Sequence, residues 1–497
     1  MRMSFLKVTL ILLIFAVQAF GQAGINLQSG FLNLNLDFVG SGARAKGMGN
    51  AYLAISDDIN GGSWNPAGLY VHDSPQIGFG YSSLIPTGTS ILEADLYSST
   101  YSKGIEHSGS LSNLSELVFV SPFRLKGHKF VGTFSYFRTY DEYSSESLNY
   151  HIPWSAFGSS RPDLENVKEN NFVDTDYDAW MKGGMYTISI GYGTRIYNNI
   201  SMGIVANIYT GSLILDANRV ESIDSVISGA SFNQIALHES TTRAIDSLKY
   251  GGMNFNIGFK YTGEKYFAGF VVRTPLTLKI TADSTLMTST TVEGNLVQDT
   301  IKILSPKINA HLTKYELPIM VGFGFGYKVN ENFLLAFDAE YRPYSNATIK
   351  IRDSLQIEPS GDNTEYFTEY DPSELYAMVN RYGSEFPIYT FKWNNIVTLR
   401  LGGEYVFDTK YGQVPVRAGF GYVPVPGSSV ESLTNTETSV AYKYSLGTGI
   451  HWSQILLDVS YTFYSRDFSL DAPEINYISG DYWYRNHQLN VSFTGYF

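Results

Sequence analysis

Residues 253–261 read Met-Asn-Phe-Asn-Ile-Gly-Phe-Lys-Tyr: every odd-numbered residue is apolar or aromatic, and every even one is small, polar or charged. A period of two belongs to an extended strand, whose successive side chains leave on opposite faces. Such a strand has one face suited to lipid or a core and one suited to water. The pattern returns in residues 319–328, where Ile319, Val321, Phe323, Phe325 and Tyr327 alternate with Met320, three glycines and Lys328. It returns in 333–342, with Leu335 and Phe337 on one face and Asp338, Glu340 and Arg342 on the other. Residues 397–405, 442–450 and 457–463 repeat it, with Arg400, Glu404, Lys443 and Asp458 on the polar face. A soluble β-sandwich or propeller also alternates, with its apolar face as a core. Two features favour a membrane instead. Many of these runs span about 9 to 11 residues, the length of a tilted transmembrane strand, and aromatics gather toward their ends as in interfacial girdles.

The remaining composition narrows the choice. After residue 21 no apolar run approaches the length of a membrane helix. In lipid only helices and closed barrels satisfy their own backbone hydrogen bonds, so a membrane protein of this kind must be a barrel. The start of the chain supplies the export signal: Arg2 and Lys7, an apolar run from Val8 to Ala19, then Ala19-Phe20-Gly21 with small residues at the cleavage positions. Residues 1–21 are therefore expected to be a signal peptide cut before Gln22. There is no cysteine, which excludes both a disulfide framework and a lipid anchor. The 37 tyrosines, 31 phenylalanines and 46 glycines favour strands and tight turns over helices. The formal charge of −12 becomes −14 once Arg2 and Lys7 leave, which argues against a nucleic-acid surface. The last strand, 487–497, alternates Leu489, Val491 and Phe493 with polar residues and ends on Phe497, as an outer-membrane insertion signal does. Strand-like segments from Gln76 onward number about fourteen, an even count as bacterial barrels require. The expected fold is an all-β transmembrane antiparallel barrel of about fourteen strands, in the outer membrane of a Gram-negative-type bacterium.

Ahead of the first strand, residues 36–69 read LDFVGSGARAKGMGNAYLAISDDINGGSWNPAGL, rich in glycine and alanine and without lipid-facing alternation. Text of the type GARAKGMGNAYLA, then DD, then WNPAGL, resembles the N-terminal hatch of the FadL-type outer-membrane transporters. ELPIMVGFGFGYKVNENFLLAFDAEYRPYS from Glu316, VRAGFGYVPVPGSS from Val416 and AYKYSLGTGIHWSQILLDVSYTFY from Ala441 are similar to later parts of that family. Residues around 141–182, 214–250 and 353–392 match none of it. The resemblance implies a barrel (76–497) plugged by a hatch (22–75), passing long-chain fatty acids or aromatic hydrocarbons inward without a cofactor. It maps the family's plug motif onto Asn65, Pro66 and Ala67, followed by Gly68. Proline fixes φ, glycine permits a tight turn, and an asparagine amide bonds backbone on either side, so the tetrapeptide suits a compact knot. Some FadL-like barrels serve instead as secretion-system shuttles or surface interaction proteins, and that alternative stays open.

Other chemistry is thin. Gly47-Met48-Gly49 opens a glycine-rich run, but Tyr52 stands where a dinucleotide fingerprint needs its third small residue. Asp174, Asp176 and Asp178 have the spacing that starts a calcium loop, yet Ala179 and Met185 replace the turn glycine and the closing carboxylate, so they read as an acidic surface loop. No histidine pair has metal-ligand spacing and no nucleophile elbow is present. The chain is therefore expected to be neither an enzyme nor a metalloprotein. Lys260, Asp338, Glu340, Arg342, Arg400, Glu404, Lys443 and Asp458 are expected to face the lumen, pairing with one another or anchoring the plug; the alternative that one of the cations meets a substrate carboxylate stays open. The expected partners of this monomer are outer-membrane lipid and lipopolysaccharide, a hydrophobic small molecule and, during insertion, the barrel-assembly machinery.

Overall fold

The alternating runs pair edge to edge until the sheet meets itself. The computed structural model describes residues 40–96, 99–153, 172–352, 356–358 and 392–497, with breaks of one to five residues inside 172–352 and 392–497. The signal segment 1–21, with 22–39 of the expected hatch, lies outside the described residues. Fourteen antiparallel strands form the wall, several of them built from two consecutive segments. They are β1 (Gln76–Leu96), β2 (Ser99–Ser108 continued by Leu111–Leu125), β3 (His128–Pro153), β4 (Phe172–Tyr197), β5 (Ile200–Ile223) and β6 (Phe232–Thr262). Then come β7 (Tyr266–Arg273 continued by Leu276–Gly294), β8 (Lys307–Leu317 continued by Met320–Lys328) and β9 (Phe333–Arg342, with Thr348–Arg352 beyond it). The wall ends with β10 (Ile396–Thr409), β11 (Gly412–Val425), β12 (Ser439–Trp452), β13 (Ile455–Ala472) and β14 (Ile478–Tyr496). β14 pairs back onto β1 from Gln76↔Tyr496 to Ala94↔Ile478, which leaves the cylinder no open seam there. Phe79 and Phe493 stack across that closure with ring centroids 5.2 Å apart.

At one end consecutive strands turn within a few residues. Lys126 and Gly127 both take positive φ (49° and 81°), the primed-turn geometry that matches strand twist. Asn198 (φ 36°) and Gly412 (φ 124°) serve two further tight connections at this end. Outer-membrane barrels place their short turns in the periplasm and their longer connections outside.

The faces follow the pleat. Phe255, Phe259, Phe323, Leu335 and Phe337 are exposed on the outside, and Ile257, Val321, Val459 and Phe463 are half-buried on the same face. The inward positions between them carry the small and charged residues. The strands, however, greatly exceed 9 to 11 residues: β3 and β4 have 26 each, β5 has 24 and β6 has 31. Their far ends continue the ladder beyond the apolar belt. This corrects the reading of Asp174, Asp176 and Asp178: all three lie in β4, with Asp176 and Asp178 exposed, rather than in a loop. Proline breaks three neighbouring strands at the top of the belt. Pro275 interrupts β7, Pro318 interrupts β8 and Pro343 ends the first part of β9, as expected of a residue that cannot donate to a ladder.

Candidate functional site

Residues 40–72 lie inside the short-turn half of the barrel. They form a five-residue helix (Ala43–Gly47), a single helical turn (Gly61–Trp64) and a 3₁₀ segment (Pro66–Val71). Met48, Tyr52, Leu53, Trp64, Ala67 and Leu69 are fully buried. Pieces this short have no helical stability of their own, so their order comes from the wall around them.

The wall comes unusually close. A Cβ on inward Gly193 of β4 would lie 2.6 Å from the carbonyl oxygen of Pro66, and one on Gly324 of β8 2.6 Å from the backbone nitrogen of Ala54. Gly447 of β12 faces Gly47, where a Cβ on either would sit 3.1 Å from the other's Cα. Gly203 meets Pro66, Gly258 meets the Asn65 side chain and Gly402 meets Met48. Glycines on six different strands thus let the inner segment, by its backbone at five of them and by the Asn65 side chain at the sixth, approach where any side chain would hold it apart.

Polar bonds fill the remaining positions. Asp338 Oδ2 accepts from the backbone N–H of Tyr52 (2.6 Å) and Leu53 (2.8 Å). Lys260 Nζ donates to the Ile55 carbonyl. Glu404 receives Arg44 through Nε (2.9 Å) and Nη2 (2.8 Å), and also Arg417 Nε (2.5 Å). Arg417 continues to Asp458 at 2.6 Å, and His451 Nε2 stands 3.1 Å from the same carboxylate oxygen. One chain of charges therefore joins the inner segment to β10, β11, β12 and β13. Breaking one partner of such a buried network leaves an uncompensated charge, at about 3 to 5 kcal/mol. Glu340 pairs with Arg400 (2.8 Å) and Arg342 (3.4 Å), closing a second group between β9 and β10. Lys443 faces the lumen from β12 opposite Gly421 of β11.

The four residues of the tetrapeptide sit at one node. Asn65 Nδ2 donates to the carbonyls of Leu53 (2.9 Å) and Phe259 (3.1 Å), while its Oδ1 accepts from Ala67 N–H (3.1 Å). Pro66 opens the 3₁₀ segment, Ser201 Oγ donates to the Ala67 carbonyl at 2.8 Å, and Gly68 N–H donates to the Asn65 carbonyl at 2.9 Å. A Cβ on Gly68 would collide with the Ser56 carbonyl. One side chain thus ties together two stretches of the inner segment and a wall strand.

Sequence reasoning passed over Arg44, Lys46, Glu116, Arg417 and Ser492. Glu116 Oε2 accepts from Gly42 N–H (3.2 Å) and its Oε1 from Ser492 Oγ (2.5 Å), while Lys46 Nζ donates to Asn490 at 2.7 Å. Arg417 was within reach, since it alternates with outward Val416 and Ala418. Arg44 and Lys46 carry no periodic signal. Phe497 is exposed, and its backbone N–H donates to the Pro75 carbonyl at 3.0 Å.

A cavity and an apolar cluster flank the inner segment. On the short-turn side, a cavity of about 810 Å³ lies against β10 to β14, lined by Asp57, Asp58, Tyr411, His451, Trp452 and Tyr496 among others. Burial raises the Asp58 carboxyl to about 6 and lowers the His72 imidazole to about 4. His72 Nε2 is 3.1 Å from the Asp58 carbonyl, and Gln76 Nε2 is 2.9 Å from its Nδ1. On the other side, Tyr209, Leu248, Tyr250, Leu278, Ile280 and Leu317 belong to a buried apolar cluster inside the wall. No group of three or more acidic or histidine side chains suited to a metal ion occurs among the described residues.

The fold is that of known outer-membrane transporters. A FadL homologue of Pseudomonas aeruginosa superposes with a TM-score of 0.52 at 12% identity, over 92% of this chain and 98% of that one. The toluene transporter TodX of P. putida gives 0.56 at 12% identity, over 93% and 99%. At such identity the likeness shows architecture alone, so the FadL-type resemblance holds at the level of the barrel fold. A search of curated protein sequences finds no match. A family model named BamG matches residues 151–422, more than half of the chain and the part that contains the longest strands. By that match the chain belongs to the BamG family.

Proposed function

We propose that this protein is a plugged outer-membrane barrel that acts through its surfaces, as an accessory subunit of the barrel-assembly machinery, rather than by passing solute through its lumen. The observation that carries the reading is the inner segment. It is held by glycine contacts on six strands and by a buried chain of charges, so clearing a passage would expose several charged groups at once. The family name points the same way. So does the location of the family match, on the part of the wall that extends farthest beyond the belt. No cofactor or nucleotide enters this role.

The test is depletion. Loss of the protein should lower the amount of other outer-membrane barrels while leaving uptake of a fluorescent fatty acid and of toluene unchanged, and cross-linking should capture a barrel-assembly component. Normal barrel levels with lost uptake would refute it.

One observation favours a second reading, transport of hydrophobic compounds. The apolar cluster above the inner segment would draw an apolar solute from water at about 0.8 kcal/mol per buried CH₂. The same depletion strain separates the two, and failed secretion of surface proteins with normal barrel levels would instead indicate a secretion shuttle.

A further inference from the structure

We infer that the short-turn rim of strands β2 to β4 is a docking site for an acidic segment of a periplasmic protein. The inference adds a partner's chemistry to the assembly reading and rests only on its outer-membrane placement, with short turns in the periplasm. Arg124 of β2 is paired directly with Lys129 of β3, and Arg195 of β4 lies one step on from the Phe130↔Thr194 pair, beside Lys129. All three share the inward face. Lys129 Nζ and the Arg195 guanidinium lie over the ring of Tyr70, 4.6 and 5.4 Å from its centroid, while the alternate positions carry exposed Phe123, Leu125, Tyr192 and Ile196 on the outside. Lys126 stands in the positive-φ turn beside them.

Like charges directly opposite each other across a ladder are destabilising, and little in the molecule offsets these. Residues 117–140 and 179–215 contain no acid, and Asp73, 2.6 Å from Lys129, has a side chain that is 90% exposed. Among the described residues, Arg124, Lys126 and Arg195 form no ion pair. Other short turns mix their signs, with Glu264 beside Lys265, Glu331 after Lys328 and Lys410 after Asp408. The positive excess is therefore local, in a chain whose formal charge is −12. Membrane lipid lies against the outward face, whereas this row borders the mouth of the barrel, so the complementary charge comes from the periplasm. Neighbouring strands are about 4.8 Å apart, which spaces the cations to meet carboxylates one turn apart on a helix, about 5 to 6 Å. Tyr70 belongs to the 3₁₀ segment that Pro66 opens, so an occupant of the rim touches the inner segment as well as the wall.

The test uses the full protein in phosphatidylcholine nanodiscs, titrated with fluorescent polyglutamate. The variant Arg124→Gln/Lys126→Gln/Arg195→Gln should bind it about eightfold less tightly, at roughly twofold for each exposed charge pair lost. Arg124→Lys/Lys126→Arg/Arg195→Lys should bind as the parent does, as should Lys265→Gln/Lys328→Gln/Lys410→Gln, which removes the same charge from other short turns. Heat-modifiable migration checks that each barrel is folded. No loss in the first variant, or an equal loss in the last, would overturn the site. Displacement by inorganic phosphate at matching charge would make it a free-anion surface, and phosphatidylglycerol retained by the parent but not by the first variant would make it a lipid surface; either overturns the assignment to a protein. Because the chain has no cysteine, Lys126→Cys reads the side of the membrane directly. A membrane-impermeant maleimide should label it only after the outer membrane is opened, and labelling in intact cells would overturn the proposal. The depletion experiment above reads the assembly role alone, so the two fail separately.

Discussion

Replacing Gly193 with alanine adds one methyl group to the inner face of β4, 2.6 Å from the Pro66 carbonyl oxygen and 3.0 Å from Leu69 Cβ. Ordinary Cβ contacts begin at 3.4 Å, so the inner segment or the strand must yield by about 0.8 Å at a carbonyl that cannot rotate away. Overpacking of this kind costs about 1 to 3 kcal/mol. Because β4 is held on both sides by paired strands, the cost should fall on the inner segment. Hydrogen exchange of amides in residues 40–72 should accelerate by roughly 5- to 150-fold, at about 1.4 kcal/mol per tenfold. Heat-modifiable migration should be unchanged. The matched control is Gly403→Ala on β10, where the added Cβ has Leu335 Cδ2 as its nearest neighbour at 3.5 Å, an ordinary contact. If both variants exchange alike, close backbone approach does not hold the segment.

Asn65→Ala removes two donated bonds and one accepted bond, leaving the Leu53 and Phe259 carbonyls and the Ala67 N–H short of partners. About 1 to 3 kcal/mol per unsatisfied buried group should loosen the inner segment while insertion stays normal, as limited proteolysis of purified barrels would report. Deleting Phe497, or replacing it with aspartate, should leave precursor in the periplasm, and undiminished barrel in outer-membrane fractions would count against it. The pH response has two opposing parts. His72, lowered to about 4, supplies stability that is complete above an unfolded value near 6.5 and is lost as pH falls through 4, by about 3 kcal/mol. Asp58, raised to about 6, has the other sign: its contribution is present below its unfolded value near 3.9 and is lost as pH rises through 6. The parent's inner segment should therefore vary little in protease resistance between pH 6.5 and 4, whereas Asp58→Asn should lose resistance as pH falls.

The wall was legible because its chemistry repeats every second residue. Phe323 and Asp338 declare their faces without any knowledge of their partners, and the same rule extends to Arg417. What Asp338 bonds was not legible, since its partners are the backbone N–H groups of Tyr52 and Leu53, which carry no side-chain signal. Glycine content suggested strands and turns, but Gly193 and Gly324 stand opposite residues more than a hundred positions away, and only the closed register reveals that they face a second backbone. The long ends of β3 to β6 were not legible because the outside there is not marked by a continuous lipid-facing apolar row. With exposed Asp176 and Asp178 on that side, the stretch reads as a loop.

The bonds that order the inner segment also set a schedule. Ala43 N–H donates to Ser492 Oγ across 449 residues and Lys46 to Asn490 across 444, while Arg44 reaches Glu404 across 360. Contacts so distant along the chain form late, after the intervening loops have been closed. Residues 43–46 must therefore wait, with the Ala43 N–H and the Lys46 ammonium lacking their β14 partners, until β14 reaches β1. Sealing of the cylinder and ordering of its contents become a single event, and a chain halted before Ser492 would have neither.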